Sequence, residues 1–539
     1  MTVKNYKWLS HLEESLPKNV HGYRTTMYAI ALEGWRRGLT LTFKNFNRNR
    51  SNTTFELSDG RKNHRFRASS GDLITREAIR TCTDKFKTKE YLLKNNVPTP
   101  QGKLFDKNSN IERILSYAEE ISYPLVVKPV SGVGGKGVIA GINNREEFEE
   151  ALKFVRDKLG NKRIIVEKHF EGEDYRVYVA GGEAVAITRR IPANVVGNGK
   201  DTIRKLISKK NQERKKSPIL GASPIRIDNE LKNVLTNQNL DLDSIASKGT
   251  RVILKSKSNI SAGGDPVDIT DEVSPEIKKI AVDACKAIPG LPHAGVDVMV
   301  DEKNNTGVVL EINSRPSLRT HLFPMEGYAR DIPKKLIDYY FPQTTSNPDC
   351  PLYFDINFVW NEFEKDKAQE IVLPKIENGN YIVTRYIVEG KVRFINYGRW
   401  VRRKARELGV NGYVEHLSDG TVKIIACGTK EEIEQLQYII KNDKPSKAVI
   451  NNVKVEKIHS RVQLGFYIKN VKFDRKLKDG YYPVQVKDPQ RKVQKKKRKV
   501  KKSVARKETI NYKKEYEKLI NSTSWKVTKP LRKIGRLFK

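Results

Sequence analysis

The stretch Lys128-Pro129-Val130-Ser131-Gly132-Val133-Gly134-Gly135-Lys136-Gly137 constrains this chain more than any other. Strand-forming residues precede it ("YPLVV") and follow it ("VIAGI"). Gly132, Gly134 and Gly137 satisfy G-x-G-x-x-G, but a dinucleotide-binding turn must open a helix, and here the chain returns into a strand. No Gly-Lys-Ser/Thr occurs, which excludes a Walker A loop. What remains is a glycine-rich hairpin able to fold over phosphates, with Lys128 ending the incoming strand. Backbone N–H groups approach phosphate oxygens where no Cβ intervenes. Taken alone, the stretch reads equally as an ordinary hairpin.

A second hairpin adds acid. In "GVDVMV-DEKNNTG-VVLEIN", pairing Val300 with Val308 sets Asp297 opposite Glu311. Glu311 and Asn313 share a face, because strand side chains alternate with period two. Three oxygen donors then meet among Val and Leu neighbours. Two carboxylates side by side in such surroundings are costly without a cation. Mg²⁺, which takes a few carboxylates plus phosphate oxygens, fits.

Charge comes next. Lys and Arg number 102 against 64 Asp and Glu, a net of +38 in 539 residues. Residues 481–539 hold 21 Lys/Arg and 4 Asp/Glu, leaving +21 on the remainder. The body therefore suits an anionic substrate, while the tail is a separate electrostatic object. The length suggests about three domains. Cys82, Cys285, Cys350 and Cys427 form no C-x-x-C pair and no metal spacing, in keeping with a reduced, cytoplasmic setting. No apolar run is long enough to span a membrane, and "MTVKNYKWLSHLEESL" has no signal-peptide core.

Along the chain, an α/β region over 1–75 precedes alternating helices and strands over 76–342, with a polar, helix-rich insertion at about 194–260. A connection with some strand follows at 343–378. Residues 379–445 give a β-α-β-β-α pattern, 446–482 a short β-rich segment, and 483–539 a basic tail.

The ordered motifs "TDKFKTKEYLLKNNVPTP", "YPLVVKPVSGVGGKGV", "IIVEKHFEGEDYRVYVAGG", "TRRIPANVVGNGKDTIRKLI", "NISAGGDPVDITDEV", "HAGVDVMV" and "VVLEINSRPSLRTHLFPMEG" resemble the ATP-grasp superfamily. They look most like the ATP-grasp module of cyanophycin synthetases and bifunctional glutathione synthetases. The resemblance implies an α+β fold, two subdomains gripping ATP. It implies that Lys85 and Lys128 neutralise the ATP phosphates and that the loop Ser131, Gly132, Gly134, Gly135 and Gly137 covers them. Glu167, Lys168, His169 and Phe170 would form the adenine hinge, and Asp174 would meet the ribose. Asp297, Glu311 and Asn313 would hold Mg²⁺, for which Mn²⁺ can substitute. Arg176, Arg190 and Arg315 would steady the substrate carboxylate or the transferred phosphoryl group, which a planar guanidinium grips well. Arg189 reads as a surface salt bridge. Such enzymes make an acyl phosphate that an amine converts to an amide. The second, Mur-ligase-like ATPase of cyanophycin synthetases has no Walker A counterpart here, so the substrate does not transfer with the fold.

Residues 379–445 resemble an acylphosphatase, a small ferredoxin-like sandwich. In "GKVRFINYGRWVRRKARELGVNGYVEHLSDGTV" the catalytic arginine position falls on Gly398 and the asparagine position on His416. Arg399 comes one place late and points elsewhere on a helix. The module therefore reads as degenerate. In the tail, "KKKRKVKK" is a solvated charge run, and Leu531, Ile534, Leu537 and Phe538 lie at helical spacing among basic residues. This ending resembles the tails of some bacterial surface-polysaccharide glycosyltransferases. It points to an anionic membrane surface at the cytoplasmic face and to an envelope polymer or precursor as substrate. The leading expectation is a carboxylate–amine ligase. The rivals are an acylphosphatase and a non-catalytic membrane- or nucleic-acid-binding protein. Oligomeric state is open.

Overall fold

A computed structural model describes residues 6–17, 20, 22–45, 52–131, 137–160, 163–365, 368–376, 380–393, 395–469 and 485–487. Gly132, Gly134 and Gly135 of the glycine loop, and the amphipathic end of the tail, lie outside the described residues.

The N-terminal unit is built on helix Tyr23–Arg36, which is buried along nearly its whole length. It packs on an antiparallel sheet in which Thr40–Lys44, Thr54–Ser58, Asn63–Arg67 and Ser70–Gly71 follow one another. Gly34 permits the contact: a Cβ there would lie 2.4 Å from Leu57 Cδ1. The sequence reading left 343–378 as a connection. Instead, helix Ile356–Glu364 buries Ile356, Val359, Trp360 and Phe363, the spacing of one helical face, in the N-terminal core. Strand Glu370–Val372 then extends the N-terminal sheet.

Two sheets follow. The first has the order Gly102–Phe105, Ile164–Lys168, Leu125–Pro129, Ile139–Ile142, and its core is closed by helices Ile111–Glu120 and Arg145–Lys153. Asn110 and Asn144 cap those helices by accepting from the N–H groups of Glu112 and Glu147, both at 2.9 Å. The glycine loop joins two antiparallel strands of this sheet, as its flanks imply. The second sheet has the order Asp265–Asp268, Glu183–Ile191, Glu173–Ala180, His293–Asp301, Thr306–Asn313. Helix Pro275–Lys286 covers one face, where Val177, Ile187, Val296, Val298 and Ile312 are buried. The alternate residues of these strands occupy the other face.

The insertion packs helices Ile203–Arg214 and Asn229–Thr236 around its own small core. A buried ionic network fastens it to the second sheet. Arg214 Nη1 donates to Asp265 Oδ1 at 2.8 Å, and Lys210 Nζ donates to Asn194 O at 2.7 Å and to Asp265 Oδ2. Replacing Asp265 by Ala removes the carboxylate that Lys210 and Arg214 share, so the expected loss is about 3–5 kcal/mol in urea unfolding. Hydrogen exchange should rise first in Ile203–Arg214. A variant that unfolds with unchanged midpoint contradicts this role.

The third sheet has the order Val449–Lys457, Ile382–Lys391, Val422–Gly428, Asn411–His416, Phe466–Lys469, with helices Tyr397–Glu407 and Lys430–Asn442 contributing to its core. The two outer strands come from the segment that the sequence reading set apart after 445. Val453 of the first and Ile468 of the second pack against this core, which is why they join it.

Candidate active site

Strand register assembles the site on the face of the second sheet away from helix Pro275–Lys286. Arg176 lies opposite Asp297, and Asp297 opposite Glu311, so three adjacent strands set these side chains in one row. Thr188 faces Arg176 from the other side, and alternation adds Asp174, Arg190 and Asn313 to the same face. The Asp297–Glu311 pairing agrees with the sequence reading, but Val300 pairs with Gly307, not Val308. A bulge between Asp297 and Val298 absorbs the extra residue of the partner strand and restores the expected register at the carboxylates.

Arginines meet the carboxylates here. Arg176 Nε lies 2.6 Å from Asp297 Oδ1. Arg190 Nη2 lies 3.4 Å from Asp297 Oδ2 and pairs also with Asp174, to which its Nε donates at 3.1 Å. Burial disfavours the Arg190 charge, but Asp297 and then Asp174 outweigh it and raise the pKa above its ordinary value. Lys85 Nζ reaches Glu311 Oε2 at 3.4 Å. With its amide turned to satisfy both neighbours, Asn313 donates to Glu311 Oε1 and accepts from Arg176 Nη1, each at 3.1 Å. Gly295 makes room for this: a Cβ there would lie 2.9 Å from Arg176 Nη1.

The first sheet contributes a second ionic group. Glu167 is 3% exposed and is held between two lysines, Lys128 Nζ at 2.5 Å and Lys89 Nζ at 2.8 Å. Burial alone would raise the Glu167 pKa; Lys128 and Lys89 together bring it below its ordinary value. The Lys89 pKa is also lowered, which for an ammonium disfavours the charge, because burial exceeds the attraction of its single carboxylate and Lys128 repels it. The two directions agree physically: Glu167 is shared by two ammonium groups, while Lys89 has a single carboxylate and a like charge beside it.

Other residues expected at the site are placed as follows. Lys168 Nζ donates to Tyr123 O at 2.7 Å, so its side chain serves the turn before Leu125–Pro129. His169 and Phe170 are half-buried, Ser131 is exposed, and Gly137 has φ +78° at the end of the glycine loop. Arg315 has no carboxylate partner among the described residues. Arg189 pairs with Glu302 at 3.3 Å, a partly exposed salt bridge.

Sequence reasoning missed Lys89, although it lies one helical turn from Lys85. It missed Ser258, whose hydroxyl donates to Asp174 Oδ2 at 2.6 Å, and Lys257, which reaches Val138 O at 3.3 Å beside the glycine loop. The insertion thus folds back over the site, a path that no local pattern encodes. It also missed His321, buried and bonded to Thr188 Oγ1 at 2.8 Å. Burial and then Arg176 and Arg190 push its pKa down to about 3, so it is neutral at physiological pH.

In the third unit Gly398 and His416, the two positions that the sequence reading singled out, face one another. Gly398 opens helix Tyr397–Glu407, and a Cβ built there would lie 3.1 Å from His416 Nε2. Restoring an arginine at 398 therefore meets the histidine. Gly398→Arg should cost about 1–3 kcal/mol by overpacking, and His416→Asn should relieve part of that cost in a double-mutant cycle. Strict additivity in thermal unfolding would show that the two positions do not touch.

Two α+β layers with carboxylates, lysines and arginines gathered between them define an ATP-grasp domain, and residues 82–318 match the ATP-grasp domain family model. Residues 384–468 match the acylphosphatase family model. The chain thus joins an ATP-grasp domain to an acylphosphatase-fold domain. Cyanophycin synthetase of Trichormus variabilis is 33% identical over 300 residues, covering 54% of this chain and 32% of that protein. Glutathione biosynthesis bifunctional protein GshAB of Clostridium perfringens is 31% identical over 326 residues, covering 58% and 40%. Among solved structures, a bifunctional glutathione synthetase from Pasteurella multocida matches with TM-score 0.43 and 28% identity, covering 54% of this chain and 40% of that one. The chain spans well under half the length of these relatives.

Proposed function

We propose that this chain is an ATP- and Mg²⁺-dependent carboxylate–amine ligase that forms an amide or peptide bond through an acyl phosphate. The observation that carries the reading is the row Arg176–Asp297–Glu311, joined by Lys85 and Asn313, within a matched ATP-grasp domain. The relative from Trichormus variabilis bears the name of a synthetase, which agrees with it.

The donor set fits a hard divalent cation: two carboxylates and an amide oxygen on neighbouring strands. Among the described residues Asp297 Oδ1 is buried and accepts no aligned hydrogen bond, and the ionic contact from Arg176 compensates it. Asp297, Glu311 and Asn313 would hold Mg²⁺, or Mn²⁺ in its place. A bound ion would neutralise phosphate charge during transfer. Lys85 and Lys128 place positive charge along the phosphates, Lys128 being aimed by Glu167. The segment Glu167–Phe170 is the adenine hinge and Asp174 the ribose contact, after exchanging its bond from Ser258. Arg176, Arg190 and Arg315 orient the acceptor carboxylate, whose oxygen attacks the γ-phosphorus as ADP leaves. An amine then attacks the acyl carbon and phosphate departs. Positioning and fixed charge supply the catalysis.

The third unit is read as non-hydrolytic, because Gly398 and His416 replace the arginine and asparagine. Wild-type protein should leave benzoyl phosphate untouched above the buffer rate. No helix among the described residues is long and apolar enough to cross a membrane. The basic tail, on its charge alone, supports action at the cytoplasmic face of an anionic membrane, on an envelope polymer or precursor. Sedimentation with anionic and neutral vesicles separates that reading from nucleic-acid binding.

The test is ADP release from purified protein with ATP and Mg²⁺ over a matrix of amines and carboxylates. Release that needs both partners supports the ligase; release that needs neither contradicts it.

A further inference from the structure

The insertion returns toward the second sheet through a segment that is firmly held at its start. Leu254 N donates to Ala193 O at 2.6 Å, and Lys255, 3% exposed, pairs with Asp228 and, at 3.1 Å, with Glu230. Lys257 and Ser258 follow, and each touches a different sheet. Ser258 Oγ donates to Asp174 Oδ2 at 2.6 Å, on the strand of the second sheet that carries Arg176. Lys257 Nζ donates to Val138 O at 3.3 Å, at the outgoing arm of the glycine hairpin. Ile139 pairs with Val127, so one further step of that antiparallel register sets Val138 opposite Lys128. Lys85 stands at the incoming arm, where its N–H donates to Val130 O at 3.2 Å.

The two insertion lysines differ in chemistry. Lys255 is buried between two carboxylates. Lys257 is exposed and meets no carboxylate among the described residues; the bond it makes is to a neutral carbonyl. A carbonyl dipole leaves the net charge of the ammonium in place, and a compact ammonium on a flexible four-carbon stem can exchange that bond for a phosphate oxygen. Residues 257 and 258 bridge the two sheets, from the residue opposite Lys128 to Asp174. A nucleotide with its ribose at Asp174 and its phosphates at Lys128 lies along that bridge.

We propose that Lys257 is a third phosphate-binding lysine, which leaves Val138 O for the terminal phosphates of ATP, and that the insertion serves to deliver it. Lys85, Lys128 and Lys257 then hold the triphosphate from a helix, a strand and the insertion. This rests on the nucleotide-binding part of the ligase reading, but the contact does not require turnover.

Calorimetric titration of the purified chain with ATP and with AMP, in Mg²⁺ at fixed ionic strength, tests it. The basic tail is identical in every variant and cancels. Lys257→Met keeps most of the stem and removes the charge. It should raise the Kd for ATP about tenfold, or 1.4 kcal/mol, and leave the Kd for AMP within twofold. Lys257→Arg should restore most of the ATP affinity. Lys232→Met, which removes an exposed charge from helix Asn229–Thr236 of the same insertion, should match wild type for both nucleotides. Equal ATP affinity in wild type and Lys257→Met overturns the proposal. Equal weakening of ATP and AMP also overturns it, because Lys257 then only fastens the insertion to the first sheet. A wild-type chain that binds no ATP overturns the contact and the ligase together. The expected ATP–AMP split, with no ADP release under any amine and carboxylate pair, overturns the ligase and leaves the contact.

Discussion

Glu311→Gln should lower Mg²⁺-dependent ADP formation about a hundred- to a thousandfold, the size of losing one pre-organised charge contact at a reacting centre. The substitution keeps the shape and removes the charge. Glu311 lies on the open face of its sheet, where its neighbours are Lys85 Nζ at 3.4 Å and Asn313. The amide keeps one acceptor oxygen for these two donors, and the half-exposed side chain leaves the other to water, so the unfolding midpoint should move little. The loss should instead appear as a raised Mg²⁺ requirement and a reduced kcat. Steady-state ADP release against Mg²⁺ concentration, with thermal unfolding beside it, checks both halves. Full activity in the variant would remove Glu311 from the site.

Glu167→Gln should act on stability, by about 3–5 kcal/mol, because it leaves Lys89 and Lys128 buried without a counter-charge. Its pH dependence has a definite sign. The folded-state pKa of Glu167 is depressed below its ordinary value of 4.5. The stability it contributes is therefore present above that value and is lost as pH falls through the depressed one. Lys89 runs the opposite way. Its pKa lies below the ordinary 10.5, so holding it charged at neutral pH costs stability, a cost relieved only as pH rises toward that value. Urea unfolding at pH 7 should separate wild type from Glu167→Gln widely, and the gap should narrow as the acid limb is entered. A gap constant with pH would mean that the side chain acts by packing alone. Lys128 should also lose its aim, so ATP affinity should fall in the same variant.

The site was legible in the sequence where strand alternation sufficed. Asp297, Glu311 and Asn313 are read from two short apolar strands, because period-two geometry leaves few choices. The bulge beside Asp297 was not legible: it shifts the register by one between Val298 and Asp297, and nothing local marks it. The pairing of Glu167 with Lys89 and Lys128 joins a helix to two strands, so it depends on tertiary packing. Ser258 reaches Asp174 only because the insertion folds back, held by Asp265. In the third unit, motif spacing singled out Gly398 and His416. Their contact needed the sheet. The helix Ile356–Glu364 carried a plain apolar face, and the sequence reading passed over it among the turn-forming residues on either side.

The account stands on carboxylate activation by phosphate transfer, and hydroxylamine trapping measures that step without knowledge of the natural amine. Purified protein, ATP, Mg²⁺ and a carboxylate donor should yield a hydroxamate in step with ADP, and Glu311→Gln should yield neither. ADP formed without any hydroxamate, at a rate indifferent to the carboxylate, would contradict the assignment and describe a nucleotide hydrolase instead.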